Sequence, residues 1–584
     1  MPAKYCLLTI LLTDALCTWE PTERSPVQRW VKYRELNVTS SCKRPARIVV
    51  VGGGFAGVYA AKTLQRLAKS QPLDVELISE RNYFVFQPLL PEVAAGTINA
   101  QDAVTPLRLL LKHTRIRMGE VVDINFADQR VEIAQGSRRV PQYSEYDHLI
   151  LAMGQRTTLE RFEGFAEHAF CLRDLAHAHQ LRNHVLQCLE HADITTNATL
   201  KQALLTFVVA GAGFSGVEAA GELHEMLDRA LPMYPNIARE DIRTLIIQRS
   251  NQILPELSEH LGSYAAERLR RRGVDIRFAT SLRRATADAV FTNHGEKIPT
   301  HTLICTVGNG PSAMVEQLGL ALTNGRISTN QFLQSQDYAN VWAIGDIAHI
   351  PLSDDTTDAP ATAPGTAQFA IGEAKQCARN VSRSVSGENM TPFRFKPKGT
   401  MASIGNYQAV ADIFGLRISG LLAWLIWRAF YIGMLPGFPT RLRVALNWLF
   451  DYFLPRSIVQ VKTSESRGTQ VVHYAAGDTL FAPQQRVDGF YIIIRGTLES
   501  RVPTAGEDFV RILGPGDHWG ERSLSENNKT IGWLTAVDDC EVMVLRKDDF
   551  VCLQQNLPPL QTYLEQIPEK IYPPSLRGTQ KDQP

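Results

Sequence analysis

One short pattern occurs twice in this chain, and the repetition limits its fold more than any other feature. Arg47 to Val51 is a run of branched apolar residues, followed by Gly52, Gly54 and Gly57, and then by Val58, Ala61, Leu64 and Leu67 at helical spacing. A second apolar run, Val75 to Ser79, comes after Ser70, Gln71 and Pro72 and completes a strand, turn, helix, strand unit. The pattern returns with a strand at Thr206 to Ala210, a turn at Gly211, Gly213 and Gly216, and a helix from Val217 to about Leu231. A strand at Thr244 to Gln248 follows Pro232 and Pro235. In such a turn glycine allows the tight bend, lets backbone amides reach a pyrophosphate, and lets helix and strand pack closely. Each turn therefore predicts a dinucleotide cradle. Ser79 and Glu80 end the first unit's second strand, where a ribose hydroxyl is met, and Gln248 and Arg249 hold the same place in the second unit.

Two cradles in one chain imply that a hydride passes between a nicotinamide and a flavin, since neither cofactor is needed twice for structure. Three further segments, YDHLILAMG (146–154), LICTVGNG (303–310) and VWAIGDIA (341–348), supply Gly154, Gly308 and Asp346. Asp346 follows a glycine at a strand end, where a carboxylate can hold a ribityl hydroxyl; the plainer alternative is a turn aspartate. Leu303 to Val307 and Val341 to Ile344 read as returning strands of the first domain.

At 584 residues the chain needs several cores. Its 44% hydrophobic and 21% charged content is that of a folded globular protein. A net charge of +1 argues against nucleic acid as a partner, and the densest basic run, Arg268 with Arg270, Arg271 and Arg272, reads as a solvated helix end. The nine cysteines contain no CxxC pair and no metal-ligand spacing, so no metal is expected. Flavoproteins that reduce disulfides carry two close cysteines after the first glycine turn, where this chain has Val58, Tyr59, Ala60 and Ala61. The amino terminus, MPAKYCLLTILLTDALC, is broken by Asp14 and makes a poor secretory signal, because Leu16 before Cys17 is not small. An unstructured extension or a misplaced start codon both fit it.

Longer strings narrow the family. VVVGGGFAGVYAAKTL, LISERNYFVFQPLLPEVAAGTI, VVAGAGFSGVEAAGEL, GTAQFAIGEAKQCARNV and FKPKGTMASIGNYQAVADIFGLRISGLLAWLIW together resemble the type II NADH dehydrogenases over roughly residues 45 to 460. That resemblance implies FAD on the first turn with Asp346 and Ala367 near the flavin, Glu218 beside the nicotinamide, and Gln368 lining a quinone pocket. It further implies a peripheral enzyme on the cytoplasmic face of the inner membrane that reduces a membrane quinone without pumping protons, with a homodimer left open. Two departures stand out. The family's AQxAxQ string keeps Ala367, Gln368 and Ala370 but has Gly372 for its second glutamine, with Glu373 next door as a candidate substitute. The acid that NADH users place against the adenosine ribose is replaced by Gln248 and Arg249. A carboxylate about 4 Å from a phosphate would cost roughly 1 to 4 kcal/mol, and arginine matches phosphate oxygens bidentately. NADPH is therefore expected to be accepted alongside NADH or in its place; the plainer alternative is an exposed arginine beside a neutral glutamine.

Leu421 to Leu435 is strongly apolar but holds Arg428 and is shorter than the about twenty residues a bilayer crossing takes. Next, Leu442, Ala445, Leu446, Leu449, Phe450 and Phe453 recur at helical spacing, Arg441, Arg443, Asn447 and Asp451 take other positions, and Trp448 and Tyr452 read as interfacial aromatics. Periodicity fits a membrane-surface helix and a core helix equally, and the resemblance favours the membrane. From Val471, short alternating strands are spaced by Gly477, Gly489, Gly496, Gly514, Gly516 and Gly520, and over about 465 to 560 they resemble the β-roll of cyclic-nucleotide-binding domains. That family's ribose glutamate is matched by Glu521, whereas its phosphate arginine falls near Thr530 beside Lys529, so cyclic nucleotide binding is not expected.

The expected fold is α/β with two Rossmann-like domains, an amphipathic helical docking region and a β-roll. The divisions are 1–44 extension, 45–204 and 303–390 FAD domain, 205–302 NAD(P)H domain, 391–464 docking region, 465–565 β-roll and 566–584 tail. One enzymatic rival is a sulfide:quinone oxidoreductase, which wants cysteines at the flavin; Cys171, Cys305 and Cys377 read more simply as small core residues. Another is a signalling protein whose flavin half only reports redox state. The intact turns, Asp346 and the Ala367–Gln368 segment favour turnover over both.

Overall fold

The computed structural model describes residues 44–136, 139–310, 313–352, 362–460, 469–485, 487, 489–504, 507–520, 530–546 and 550. The amino-terminal extension, the tail, Glu521 and Lys529 lie outside the described residues.

Strand β1 (Ala46–Val51) runs into the first glycine turn and helix α1 (Phe55–Leu67), and the chain returns as β2 (Leu73–Ser79). With β3 (Arg115–Met118), β4 (His148–Leu151) and, far along the chain, β9 (Val341–Ala343), these form a parallel sheet in the order β9-β4-β1-β2-β3. Ile48 to Val51 are buried, as a strand covered on both faces must be.

The second unit repeats the plan: β5 (Thr206–Ala210), the second glycine turn, α3 (Phe214–Ala230), β6 (Arg243–Ile247) and β7 (Val274–Arg277). It is reached from β4 through a crossing segment and helix α2 (Leu175–Ile194). Strand β8 (Thr302–Cys305) belongs here, with Cys305 opposite Ala210, and so corrects the expectation that Leu303 to Val307 returns to the first sheet. Periodicity identifies a buried strand and not its partner. Its sheet also takes in the strand Ala169–Phe170 at its edge, and Asn309–Gly310 pair back to Arg156–Thr157 in a separate two-stranded sheet.

Helix α4 (Ala367–Ser386) starts at Thr366, whose hydroxyl accepts from Phe369 N, and packs along α1. The region after it, expected to be helical, opens instead with an antiparallel sheet of Thr400–Gly405, Gln408–Ile413 and Leu416–Gly420. Its close fit to α3 depends on Gly221, where a Cβ would lie 2.6 Å from Ile404 O. Helices α5 (Leu421–Met434) and α6 (Phe438–Phe453) follow, and among the described residues no helix is long and apolar enough to cross a membrane. The β-roll is two four-stranded antiparallel sheets closed over Tyr491, Ile493, Leu498, Leu513, Leu534 and Val542, a core separate from those of the other units.

Candidate active site

The two glycine turns are built alike, atom against atom. Gly52 has φ +118°, and a Cβ on Gly57 would sit 1.9 Å from Gly52 O; Gly211 has φ +100°, and a Cβ on Gly216 would sit 2.0 Å from Gly211 O. These pairs must be glycine for the turn to close. The middle glycines differ: a Cβ at Gly54 or Gly213 would meet nothing within 4 Å. The open space lies at the N-termini of α1 and α3, where free amides and the helix dipole favour a pyrophosphate. The residues present therefore fit one dinucleotide on each turn.

Around the first turn, Ser79 is buried against Gly53 and its Oγ accepts from Arg81 N at 3.3 Å, so it shapes the turn. Glu80 is exposed, lies 3.5 Å from Arg156, and lines with Met118 and Gly119 an open cleft of about 450 Å³. Gly154 faces open space at the end of β4 with φ +68°. Asp346 stands on the turn after β9, its pKa raised by burial against the pull of Arg173 and Arg326.

Glu373 is not on the face of α4 that carries Gln368. It is 2% exposed, and its Oε2 accepts from Gly345 N at 2.6 Å, bracing the turn that carries Asp346. Burial pushes its pKa up to about 7. Its place next to Gly372 in sequence turns it about a quarter of a helical revolution away from the glutamine position. Gln368 is tied at both ends of its amide, donating to Gly399 O at 2.8 Å and accepting from Lys398 N at 3.2 Å. Four residues on, a Cβ at Gly372 would lie 2.8 Å from the Phe395 ring. Residues 395–399 thus strap the face of α4 that bears both positions, and the phenyl ring takes the space of the missing glutamine. Ala367 is half-buried at the first position of α4.

Glu218, two residues past the last glycine of the second turn, joins the dinucleotide unit to the carboxy-terminal helices. Its Oε1 accepts from Ser403 N at 3.1 Å and from Trp427 Nε1 at 3.2 Å. Burial, with Glu222 nearby, raises its pKa to about 8 against these two donors, so it is protonated at neutral pH, with Oε2 left to carry the proton.

Sequence reasoning missed the charged cluster beside it. Glu92 accepts from Trp448 Nε1 at 2.8 Å and is pushed up to about 8, first by burial and then by Glu222. Arg428 lies 3.9 Å from the Trp424 ring and 4.5 Å from the Trp448 ring, and Arg456 spans Glu222, Glu225 and Asp451 at 3.6, 3.2 and 2.8 Å. Trp448 is thus a buried donor, correcting its reading as an interfacial aromatic. The arginine inside an apolar helix was the available signal. The carboxylates it faces first, Glu92 and Glu222, lie hundreds of positions away in sequence.

At the end of β6, Gln248 Oε1 accepts from Ala212 N at 3.1 Å, while its Nε2 donates to Ser250 Oγ at 2.6 Å and Gln252 O at 3.2 Å. Arg249 is exposed. Gly308 has φ +85°, and its carbonyl accepts from Thr158 N and Oγ1 at 2.7 and 2.8 Å.

The pyridine nucleotide-disulphide oxidoreductase family matches residues 46–374, the NDH2 C-terminal domain family 398–457, and the cyclic nucleotide-binding domain family 471–556. The type II NADH:quinone oxidoreductase Ndh of Mycobacterium tuberculosis is 30% identical over 436 residues, covering 72% of this chain and 90% of that protein. This chain belongs to the type II NADH:quinone oxidoreductase family. The fold agrees: NDH2 of Plasmodium falciparum, solved in complex with NADH, superposes with a TM-score of 0.66 at 20% identity, over 71% of this chain and all (100%) of that one. A sulfide:quinone oxidoreductase from Aquifex aeolicus shares the scaffold with a TM-score of 0.53 at 20% identity, over 71% of this chain and 96% of that one. As a member of the oxidoreductase family, the chain uses FAD as cofactor and NADH as substrate. Cys171, Cys305 and Cys377 are buried thiols, as read from the sequence.

On α5 and α6 the exposed side chains include Leu421, Leu425, Leu442, Leu449, Phe450 and Phe453, while Val444 and Trp448 face inward. In the β-roll, Thr530 is 6% exposed; its N donates to Gln485 O at 2.8 Å and its hydroxyl to Ala482 O. The position expected to carry a phosphate arginine is thus closed onto the turn that follows the strand Thr479–Phe481.

Proposed function

We propose that this NADH:quinone oxidoreductase works on the membrane surface, with α5 and α6 lying in the interface and the dinucleotide units facing the cytoplasm. Support comes from the exposed apolar side chains of the two helices, flanked by exposed Arg441 and Arg443. A large side chain moved into the acyl boundary contributes roughly 1.5 to 3 kcal/mol when fully buried.

The observation that carries the catalytic reading is the pair of matched turns, each closed by its outer glycines and open at its middle one. FAD, when bound, supplies the two-electron chemistry between nicotinamide and quinone. The first turn, Glu80, Gly154, Asp346 and Ala367 would hold it, with Glu373 as a positioning residue for Asp346. The second turn, Gln248, Arg249 and Gly308 bind and orient the reductant. Glu218 keeps a proton on Oε2 at neutral pH, next to the helices that reach the membrane. Gln368 acts through the strap it holds.

At the adenosine ribose, Gln248 makes the bond to Ala212 N that an acid would make, without the charge, and Arg249 offers a guanidinium. This arrangement supports NADPH as a second reductant. Steady-state oxidation of NADH and of NADPH with a soluble quinone tests both readings: turnover with NADH is expected, with NADPH within about tenfold of it. Absence of quinone-dependent NADH oxidation by FAD-loaded protein would refute the enzyme, and absence of NADPH oxidation alone would refute only the second reductant.

A further inference from the structure

We infer that the β-roll regulates the nicotinamide half-reaction, acting through its seat on the second dinucleotide unit rather than through the flavin or the quinone. The inference rests on the assignment of the second glycine turn and Gly308 to the nicotinamide.

The seat is specific. The strands Leu282–Ala285, Ala289–Thr292 and Lys297–Pro299 form a meander between β7 and β8. Against it the β-roll sets two carboxylates: Asp539 pairs with Arg284, and Asp478 Oδ1 accepts from Lys297 Nζ at 2.8 Å. Backbone bonds add to these, as Ala287 N donates to His473 O at 3.0 Å and His473 N donates to His168 Nε2 at 3.1 Å. The two imidazoles meet edge to face with centroids 5.5 Å apart. The contact is mostly polar, which is the character of an interface that opens and closes rather than of a shared core.

His168 closes the segment that carries the chain from the first dinucleotide unit to the second. His168 N donates to Gly164 O at 3.1 Å, Ala285 N to Glu163 O at 2.9 Å, and Thr158, earlier in the same segment, holds the Gly308 carbonyl. Phe162 and Phe165 pack with tilted rings, centroids 4.9 Å apart, and Phe162 lies 3.4 Å from where a Cβ on Gly308 would stand. Phe165, Leu282 and Ala285 share one apolar cluster with Ala210 and Cys305, the last residues of β5 and β8. One face of that cluster is therefore the β-roll's seat, and the other carries Gly211 and Gly308. A shift of the roll reaches the nicotinamide loops through a single packed layer, while α1, α4 and the Asp346 turn lie in the other unit.

Charge reversal of the full-length, FAD-loaded enzyme tests this, with flavin reduction by NADH and flavin reoxidation by a soluble quinone followed separately by stopped flow. R284D/K297E and, independently, D539R are expected to slow reduction about fivefold or more, the scale of an ordinary coupling between sites, with reoxidation at the parental rate. R284D/D539R, which restores the pair with its signs exchanged, should recover the parental reduction rate. Reduction at the parental rate in both reversed variants would overturn the inference, as would loss of reoxidation alongside it or an R284D/D539R variant as slow as D539R. A parent enzyme whose flavin NADH does not reduce would instead remove the dehydrogenase reading beneath it.

Discussion

Replacing Gln248 with glutamate tests how this enzyme discriminates between its two candidate reductants. In Q248E one carboxylate oxygen can keep the bond from Ala212 N, now 3.1 Å. The other would take the place of Nε2, 3.2 Å from Gln252 O and 2.6 Å from Ser250 Oγ. Ser250 must then turn its hydrogen from Gln252 O to the carboxylate, at a cost of about one net hydrogen bond, roughly 0.5 to 1.5 kcal/mol. That cost is common to both reductants and leaves their ratio alone. The new charge does not. A carboxylate about 4 Å from the 2′-phosphate costs roughly 1 kcal/mol in water and 4 kcal/mol near a protein surface. At about 1.4 kcal/mol per tenfold, the ratio of kcat/KM for NADH to that for NADPH should rise between about fivefold and several hundredfold. The assay is initial-rate oxidation of each nucleotide at fixed soluble quinone, in low and high salt, since part of the effect is screened. A ratio unchanged in both conditions would refute the argument, and so would one that moves through NADH alone.

Other expectations follow from the same geometry. G54A places its Cβ in open space, so it should fold with parental circular dichroism yet bind FAD about tenfold or more weakly, the scale of a displaced bond to a charged group; parental FAD affinity would show that the space is not the ligand's. Introducing glutamates as L446E/L449E/F450E on the exposed face of α6 should move the enzyme from anionic vesicles to the supernatant, since about 4.5 to 9 kcal/mol of potential burial is removed; co-sedimentation at the parental level would argue against the docking face. Glu218 is an acid whose folded pKa, about 8, lies above its unfolded value, so the folded state holds the extra proton between pH about 4.5 and 8. Stability is therefore present below that window and lost as pH rises through it, by at most about 1.4 kcal/mol per pH unit from this group. E218Q should flatten the fall in unfolding free energy across the window, and an unchanged slope would place the proton elsewhere.

Much of this was legible in local sequence. Glycine turns announce themselves because their geometry is set within six residues, and Thr206–Ala210 stands out because a strand buried on both faces is almost wholly apolar. What escaped depends on partners distant in the chain. The strand at Thr302–Cys305 looks alike in either sheet until its neighbour is known. Trp448 has the spacing of an interfacial aromatic, and only the nearness of Glu92 turns it inward. Gly372 reads as a lost glutamine, with Glu373 only a candidate substitute; the answer lies with Phe395, which fills the vacated space, and with Gly345, which takes the carboxylate.

An anaerobic titration bears most directly on the whole account. NADH added to purified, FAD-reconstituted enzyme should bleach the visible flavin band at one nucleotide per flavin, and a soluble quinone should then bring the colour back. A preparation that takes up no flavin, or a yellow one that NADH leaves unbleached, would contradict it.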